Sequence, residues 1–269
     1  MNKTDAQKII QSVASENLPS NTRRYKLTFL DSGLGENALG YSVDHQPVEG
    51  KIVYTDGEIL VLKQGAKAIF TAVDYLILPE SSMTTLSVGD KVRITPYARR
   101  RFDGTFLYEP VKNADGSVIY HIGESVSHLP VEKSTLSSQY LLDMIDLLER
   151  GKTSSYRTIA QVLIDAGATL EPLQVNDDPD PENIIKNPPA ITFRIQSAKL
   201  SGYLRVFYDR SMDYYGIHVL DGCGVIVDTV SDIDFTSMAG VIQDLVDDET
   251  WRIAKVEIIQ KVRPAKKVS

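Results

Sequence analysis

The strongest constraint on the fold is an alternation of apolar and polar residues that begins at Tyr25. From there the chain consists of short runs rich in Val, Ile, Tyr, Phe and Thr, separated by turn residues such as Asp56-Gly57. Runs of this kind indicate strands, and an Asp-Gly step between two of them is a strong hairpin signal. Short, regularly spaced strands favour a small barrel or a sandwich, closed so that the sheet edges are hidden. We therefore predict a small antiparallel β-barrel of the SH3 or OB type over residues 21–130.

Two other segments carry apolar residues at helical spacing. In residues 1–20 the apolar residues at helical spacing follow Thr4, and threonine is a residue type that commonly caps helices. Residues 137–168 contain two amphipathic stretches that end at Gly151 and Gly167, which suit a helix C-terminus. We predict an N-terminal helix in the first segment and an antiparallel helix hairpin in the second.

The C-terminal third begins after an acidic segment rich in proline. Residues 176–189 read NDDPDPENIIKNPP, a composition that favours an exposed loop or linker. Residues 190–264 then return to alternating runs, followed by an amphipathic stretch and a last strand-like run. They predict an antiparallel α+β domain. The whole chain is therefore predicted to be an α+β protein, with the barrel first, the helix hairpin next and the antiparallel domain last.

The formal net charge of −7 is concentrated in the C-terminal half, where residues 136–269 hold 20 of the 36 acidic residues and 14 of the 29 basic residues. Proteins that bind nucleic acid over their whole surface are usually basic, so only a local basic patch is compatible with that class. A single cysteine excludes an internal disulfide. No apolar run approaches the roughly 18 residues of a membrane helix, and the N-terminus lacks the apolar core of a secretory signal. We expect a cytoplasmic protein without a membrane partner.

Motifs for cofactors and metals are weak. The segment SGLGENALG, residues 32–40, has the G-x-G-x-x-A spacing of a dinucleotide-binding loop, with Asp56 downstream. That chemistry requires a helix opening at Gly35 to bind pyrophosphate, and the next residues, which include Pro47, show no helical pattern. The four histidines are scattered and form no zinc-binding pair. We expect neither a cofactor nor a metal ion.

Cys223 lies five residues after His218, within the stretch LDGCGVIV. A thiol with a nearby imidazole base could support a Cys/His-dependent hydrolase. Asp221-Gly222 explains the same stretch as a hairpin turn in which the cysteine is simply a small residue. The catalytic interpretation is therefore an alternative and not the main prediction.

A basic segment, VGDKVRITPYARRRFDG at residues 88–104, is the most distinctive local feature. On a small barrel, basic side chains can neutralise phosphates while aromatic rings stack on bases. An acidic protein partner, or a solvated hairpin tip with no ligand, would explain the same residues. The candidate binding residues are Lys91, Arg93, Tyr97, Arg99, Arg100, Arg101 and Phe102.

Residues 48–97 also follow a distinct order of strand and turn residues, carried by Gly50, Lys51, Ile52, Val53, Gln64, Gly65, Gly89, Val92, Ile94 and Tyr97. In this order the segment resembles the small β-barrel module of the KfrB type, which occurs in proteins of conjugative plasmids. It departs from that module after Tyr97, where Ala98 and three arginines replace a compact Y-x-x-G ending. The resemblance implies an accessory protein of a mobile genetic element and not an enzyme, and it implies nothing about the C-terminal half.

These features predict a non-enzymatic binding or accessory protein that contacts nucleic acid or an acidic partner through the basic segment. One alternative is an inhibitor or regulator that acts by protein contact, with its acidic C-terminal half mimicking a polyanion. The other alternative is the hydrolase that uses Cys223 and His218.

Overall fold

The computed structural model describes residues 1–18, 22, 24–65, 68–113, 115–119, 126–177 and 185–262. The chain forms two compact units of mixed α+β structure, one from Met1–Ala98 with Trp251–Ser269 and the other from Arg99–Thr250. None of the helices in the described ranges is long and apolar enough to cross a membrane. Within the predicted acidic loop, residues 178–184 lie outside the described residues.

Each unit is built on one large sheet. The helices are α1 (Lys3–Asn17), α2 (Ser82–Thr85), α3 (Gln139–Arg150), α4 (Ile159–Asp165) and α5 (Met238–Val246), with 3-10 turns at Tyr75–Ile77, Lys133–Thr135 and Thr250–Arg252. The six-stranded sheet contains β1 (Lys26–Leu30), β4 (Val48–Thr55), β5 (Ile59–Lys63), β6 (Ile69–Asp74), β7 (Lys91–Thr95) and β15 (Lys255–Gln260). Short hairpins are formed by β2 (Gly35–Glu36) with β3 (Ser42–Val43) and by β8 (Val111–Lys112) with β9 (Val118–Ile119). The five-stranded sheet contains β10 (Gln174–Asn176), β11 (Ala190–Gln196), β12 (Ser201–Asp209), β13 (Tyr214–Leu220) and β14 (Ile226–Ile233).

The prediction of a closed antiparallel barrel is wrong. The six strands lie in the open order β1-β6-β5-β4-β7-β15, and no pairing among the described strands joins the two edges. The sheet is also mixed, because β1 runs parallel to β6. The first unit ends at Ala98, so residues 99–130 of the predicted barrel domain belong to the second unit.

The physical reason is that β5 and β6 are buried on both faces. Ile59 and Val61 pack with α1 in one apolar cluster, whereas Leu60 and Leu62 belong to a separate cluster. Successive side chains of a strand point to opposite faces, so the run ILVL requires apolar cover on both sides of the sheet. A small barrel has one apolar interior and a solvated outside, which this run does not fit.

The last strand joins the first sheet. β15 pairs antiparallel with β7, although the sequence pattern places it in the domain at residues 190–264. Its end is held by Asp90, a fully buried carboxylate that accepts hydrogen bonds from the Val262 N–H at 2.8 Å, from Lys261 Nζ at 3.0 Å and from the Ser87 N–H at 3.0 Å. Burial acts to raise the pKa of Asp90, but these hydrogen bonds outweigh it and hold the pKa below its ordinary value. Alternation identifies a strand but not the strand with which it pairs.

In the second unit, three helices pack on the five-stranded sheet. α3 begins at Ser138, whose side chain accepts from the Leu141 N–H, and α4 begins with a capping box formed by Thr158 and Gln161. These two helices lie within the predicted hairpin segment and contact each other. Their apolar faces and that of α5 form one core with the sheet, which includes Leu141, Ile145, Leu148, Ile159, Val162, Leu163, Ile242, Val246, Phe193, Leu204, Val206 and Ile217.

A buried arginine joins the ends of two of these helices. Arg157 is fully buried, and its guanidinium pairs with Asp165 at 2.8 Å and with Asp247. Asp165 is the last residue of α4, and Asp247 caps the end of α5. A buried charge is costly unless it is paired, so the two carboxylates make the buried position of Arg157 stable.

We expect the change Ile10→Ala to lower the free energy of unfolding of the first unit by about 2–5 kcal/mol, because Ile10 is fully buried between α1 and the sheet. The single tryptophan, Trp251, lies in the same unit, so its fluorescence during urea unfolding measures this change. The milder change Ile10→Val should cost about 0.5–1.5 kcal/mol. Gln11→Ala, on the exposed side of the same helix, is the control and should change stability by less than about 0.5 kcal/mol. Equal stability of Ile10→Ala and Gln11→Ala would contradict the packing of α1 on this sheet.

Candidate binding surface

The sheet of the second unit has two different faces. One face of β11, β12 and β13 is buried against the helices through Ile191, Phe193, Ile195, Leu204, Val206, Ile217 and Val219. Because side chains alternate along a strand, the intervening residues lie on the opposite face, where they are half-buried or exposed. We call this surface the open face, and it consists of Thr192, Arg194, Tyr203, Arg205, Phe207, Tyr214, His218 and Leu220.

Strand pairing arranges the open face in rows that cross the sheet. Neighbouring strands lie about 4.8 Å apart, so side chains at paired positions are in reach of each other. Directly paired positions form the rows Thr192–Arg205–His218–Thr229 and Arg194–Tyr203–Leu220–Ile226.

Phe207 and His218 form an aromatic patch at the centre of the open face. The Phe207 ring lies directly over Gly216, where an added Cβ atom would meet ring atoms at 2.3 Å. The ring centroids of Phe207 and His218 are 4.5 Å apart, with the planes tilted by 43°. The absence of a side chain at Gly216 therefore lets the Phe207 ring lie against the sheet beside the imidazole.

The two arginines of the open face differ in their partners. Arg194 lies over the Tyr203 ring at 5.1 Å, donates to the Gly202 carbonyl at 2.9 Å and lies 3.7 Å from the Glu171 carboxylate. Arg205, in contrast, has no hydrogen bond or ion pair with any described residue. An unpaired guanidinium beside aromatic rings is free to bind an anionic or planar group from outside the chain.

Arg205 also acts on His218, which lies directly opposite it on β13. Burial, and then the positive charge of Arg205, lower the pKa of His218 below its ordinary value of about 6.5. The imidazole is therefore neutral at pH 7. Its Nδ1 atom is buried and has no hydrogen-bond partner in the described part of the chain.

The structure places the predicted basic residues in different settings. On β7 of the first unit, Lys91 and Arg93 both pair with Glu49, at 2.6 Å and 2.8 Å. Tyr97 packs against Trp251 with ring centroids 4.7 Å apart. The charges on β7 are thus partly neutralised by a neighbouring strand.

The remaining residues of the basic segment belong to the second unit. Arg101 donates to the carbonyl groups of Phe106, Leu107 and Glu109 at 2.6, 3.2 and 2.8 Å, so its guanidinium holds the following turn together. Arg99 is buried, and Phe102 packs against the core of this unit. Arg100 is exposed and lies 5.2 Å from the centroid of the Phe106 ring. Among Arg99, Arg100 and Arg101, Arg100 is therefore the one whose side chain is directed to solvent.

Cys223 and His218 occupy different parts of a hairpin. Cys223 is exposed in the turn between β13 and β14, and its backbone N–H donates to Asp221 at 2.8 Å. His218 lies within β13, with its ring against Phe207. The turn chemistry of Asp221 accounts for the segment around the cysteine.

The glycine-rich segment at residues 32–40 leads into the β2–β3 hairpin and not into a helix. The geometry that a dinucleotide-binding loop requires is therefore not formed there. Among the described residues there is no group of three or more His, Cys, Asp or Glu side chains that could hold a metal ion.

Comparisons of the chain with protein-family models, with curated proteins and with solved structures found no match.

Our sequence-based reasoning missed the open face, although the signal for it is present. The strands ITFRIQ, YLRVFY and YYGIHVL alternate between aliphatic core positions and positions with Arg, aromatic rings or His. Exposed aromatic and cationic side chains that alternate with core residues on neighbouring strands make such a face a candidate for binding. The arginines of these strands occur singly, so they are less conspicuous in the sequence than the three consecutive arginines at residues 99–101.

We expect the change Arg205→Ala to raise the pKa of His218 toward its ordinary value, because it removes the positive charge that disfavours the imidazolium. Titration of the His218 ring signals by NMR measures this change. Arg150→Ala, an exposed arginine on α3, is the control and should leave the titration unchanged. An unchanged pKa in Arg205→Ala would show that the two side chains do not interact.

Proposed function

We propose that the protein is a non-enzymatic binding protein that binds single-stranded nucleic acid on the open face. The observation that carries this proposal is the guanidinium of Arg205, which has no hydrogen bond or ion pair with a described residue, beside the Phe207 and His218 rings on a sheet face that no described helix covers. The proposal keeps the class of ligand predicted from the sequence and assigns it to a different surface.

The aromatic content of the open face supports stacking with bases. Single-stranded nucleic acids are commonly bound on antiparallel sheets, where exposed rings stack on bases and arginines contact phosphates or base planes. Tyr203, Phe207 and His218 supply three rings on adjacent strands, and Tyr214 supplies a fourth that is exposed. Each base stacked on a ring contributes about 1–3 kcal/mol.

The charge of the protein favours a single strand over a duplex. Duplex binding depends mainly on many phosphate contacts by Lys and Arg, and this chain has a net charge of −7. The open face has only two arginines, and Arg194 already lies near Glu171. Stacking requires unpaired bases, which a duplex does not offer.

The cellular setting is part of the proposal. A cytoplasmic location is supported by the single cysteine and by the absence of a membrane-spanning pattern in the sequence. An accessory role in a mobile genetic element is supported by the KfrB-type resemblance of residues 48–97. In the basic segment, Arg100 offers an exposed charge for a second nucleic-acid contact.

We expect the full-length protein to bind labelled single-stranded RNA or DNA of mixed sequence more tightly than a duplex of the same length. Fluorescence anisotropy over a salt series measures both affinities. Phe207→Leu, which keeps an apolar cover on Gly216 but removes the ring, should weaken single-strand binding by about fivefold or more because stacking is lost. Arg205→Ala should weaken binding and reduce the salt slope by about 0.7 if it contacts one phosphate.

Two further variants distinguish binding on the open face from binding on the basic segment. Arg150→Ala removes an exposed arginine from the helix side and should bind as the wild type does. Arg100→Ala tests the basic segment alone. If Arg100→Ala loses binding while Phe207→Leu and Arg205→Ala keep it, the basic segment, and not the open face, is the binding site. No single-strand binding at low salt would refute the proposal.

A further inference from the structure

β14 forms one edge of the five-stranded sheet. β14 pairs with β13 on one side, and no described strand pairs with its other side. It spans eight residues, Ile226–Ile233, but its pairing with β13 shifts register twice, and the Thr229 N–H donates to the Asp228 carboxylate at 2.8 Å. Natural proteins usually shorten or cover such edges, because an unpaired edge is a template for another strand.

The side chains at the start of this edge are apolar and exposed. Val225, Ile226 and Val227 are 59%, 50% and 61% exposed, and Phe235, just after the strand, is 69% exposed. Edge strands that avoid pairing commonly carry Lys, Pro or a β-bulge. β14 contains neither Lys nor Pro, and its register shifts lie at residues 226–228 and 230–233, so the segment from Asp228 to Val230 is the regularly paired part. The edge therefore combines free backbone groups with an apolar surface that a partner could bury.

The charge around β14 has one sign. Residues 211–251 contain nine acidic residues and neither Lys nor Arg. Asp228 and Asp232 lie on β14 itself, and Asp234 follows it. Two copies of β14 would bring these carboxylates together, which disfavours self-pairing, whereas a strand with Lys or Arg would neutralise them.

From these observations we propose that β14 binds an extended basic segment of a partner protein, one that alternates apolar with Lys or Arg residues, by adding it as a sixth strand of the sheet. In this mode backbone hydrogen bonds supply affinity, and alternate side chains supply specificity. The partner's apolar residues would cover Val225 and Val227, while its cations would lie near Asp228 and Asp232. This surface adjoins the open face, whose rows end at Ile226 and Thr229 of β14, but the proposal does not depend on nucleic-acid binding.

The test uses the full-length protein and a labelled synthetic peptide of about ten residues that alternates Val and Lys. We expect it to bind, and we expect a peptide that alternates Val and Glu not to bind. The change Val227→Lys should weaken binding by about tenfold or more, because a lysine on an edge strand opposes strand addition. Val175→Lys is the matched control, since Val175 is an exposed valine on β10, the opposite edge of the same sheet, and it should bind as the wild type does.

Hydrogen exchange distinguishes strand addition from simple charge attraction. Peptide binding should slow amide exchange within residues 226–233 and leave exchange in β10 unchanged. Binding without this protection, or equal affinity of the wild type and Val227→Lys, would overturn the proposal. Sedimentation of the protein alone provides a further test, because a dimer that Val227→Lys dissociates would identify a second copy, and not a basic partner, as the occupant of β14.

Discussion

The one-sided cover of the second sheet determines most of what this unit can do. α3, α4 and α5 all contribute to the core that buries the same face of β11–β13. In these three strands the aliphatic residues lie in that core. Because side chains alternate along a strand, the aromatic and cationic residues between them lie on the opposite face. The open face is thus a direct consequence of where the helices pack.

The buried Arg157 helps to keep that cover in place. Its guanidinium joins the end of α4 to the cap of α5 through Asp165 and Asp247. Loss of one partner of a buried ion pair typically costs about 3–5 kcal/mol, because the remaining charge is left without compensation. Moving α5 away from α4 would separate Arg157 from one of its two carboxylate partners and would therefore carry this cost. The helix layer therefore has one strongly preferred position, and the face opposite to it stays open.

The sequence pattern predicts some elements well and fails for others for identifiable reasons. The alternating runs that begin at residue 190 predict antiparallel strands, and β11–β14 pair antiparallel in the order of the sequence. The barrel prediction fails at the run ILVL of β5, because its four consecutive residues are all buried and therefore require apolar cover on both faces of the sheet. The pairing of β15 with β7 depends on contacts such as that of Asp90 with Val262, which join distant parts of the chain. No local pattern could have revealed it.

The same limit applies to the candidate site. Three adjacent arginines are conspicuous in a sequence, but folding directs Arg101 to backbone carbonyl groups and buries Arg99. Arg205 has no charged neighbour in the sequence between Tyr203 and Phe207, and in the fold its guanidinium makes no hydrogen bond or ion pair with any described residue. What decides whether a charge can bind a ligand is whether the chain itself satisfies it, and that is a property of the folded structure.

One sheet thus presents two surfaces of opposite character. The open face has two arginines and a group of aromatic rings, whereas the only charged residues from the start of β14 to residue 251 are acidic. Phosphate groups are attracted to the first surface and repelled by the second, and a basic peptide has the reverse preference. The strand order places β12, with Arg205, two positions from β14, so a nucleic acid and a basic strand could occupy the sheet together. The charge difference across β13 would then keep each ligand on its own surface.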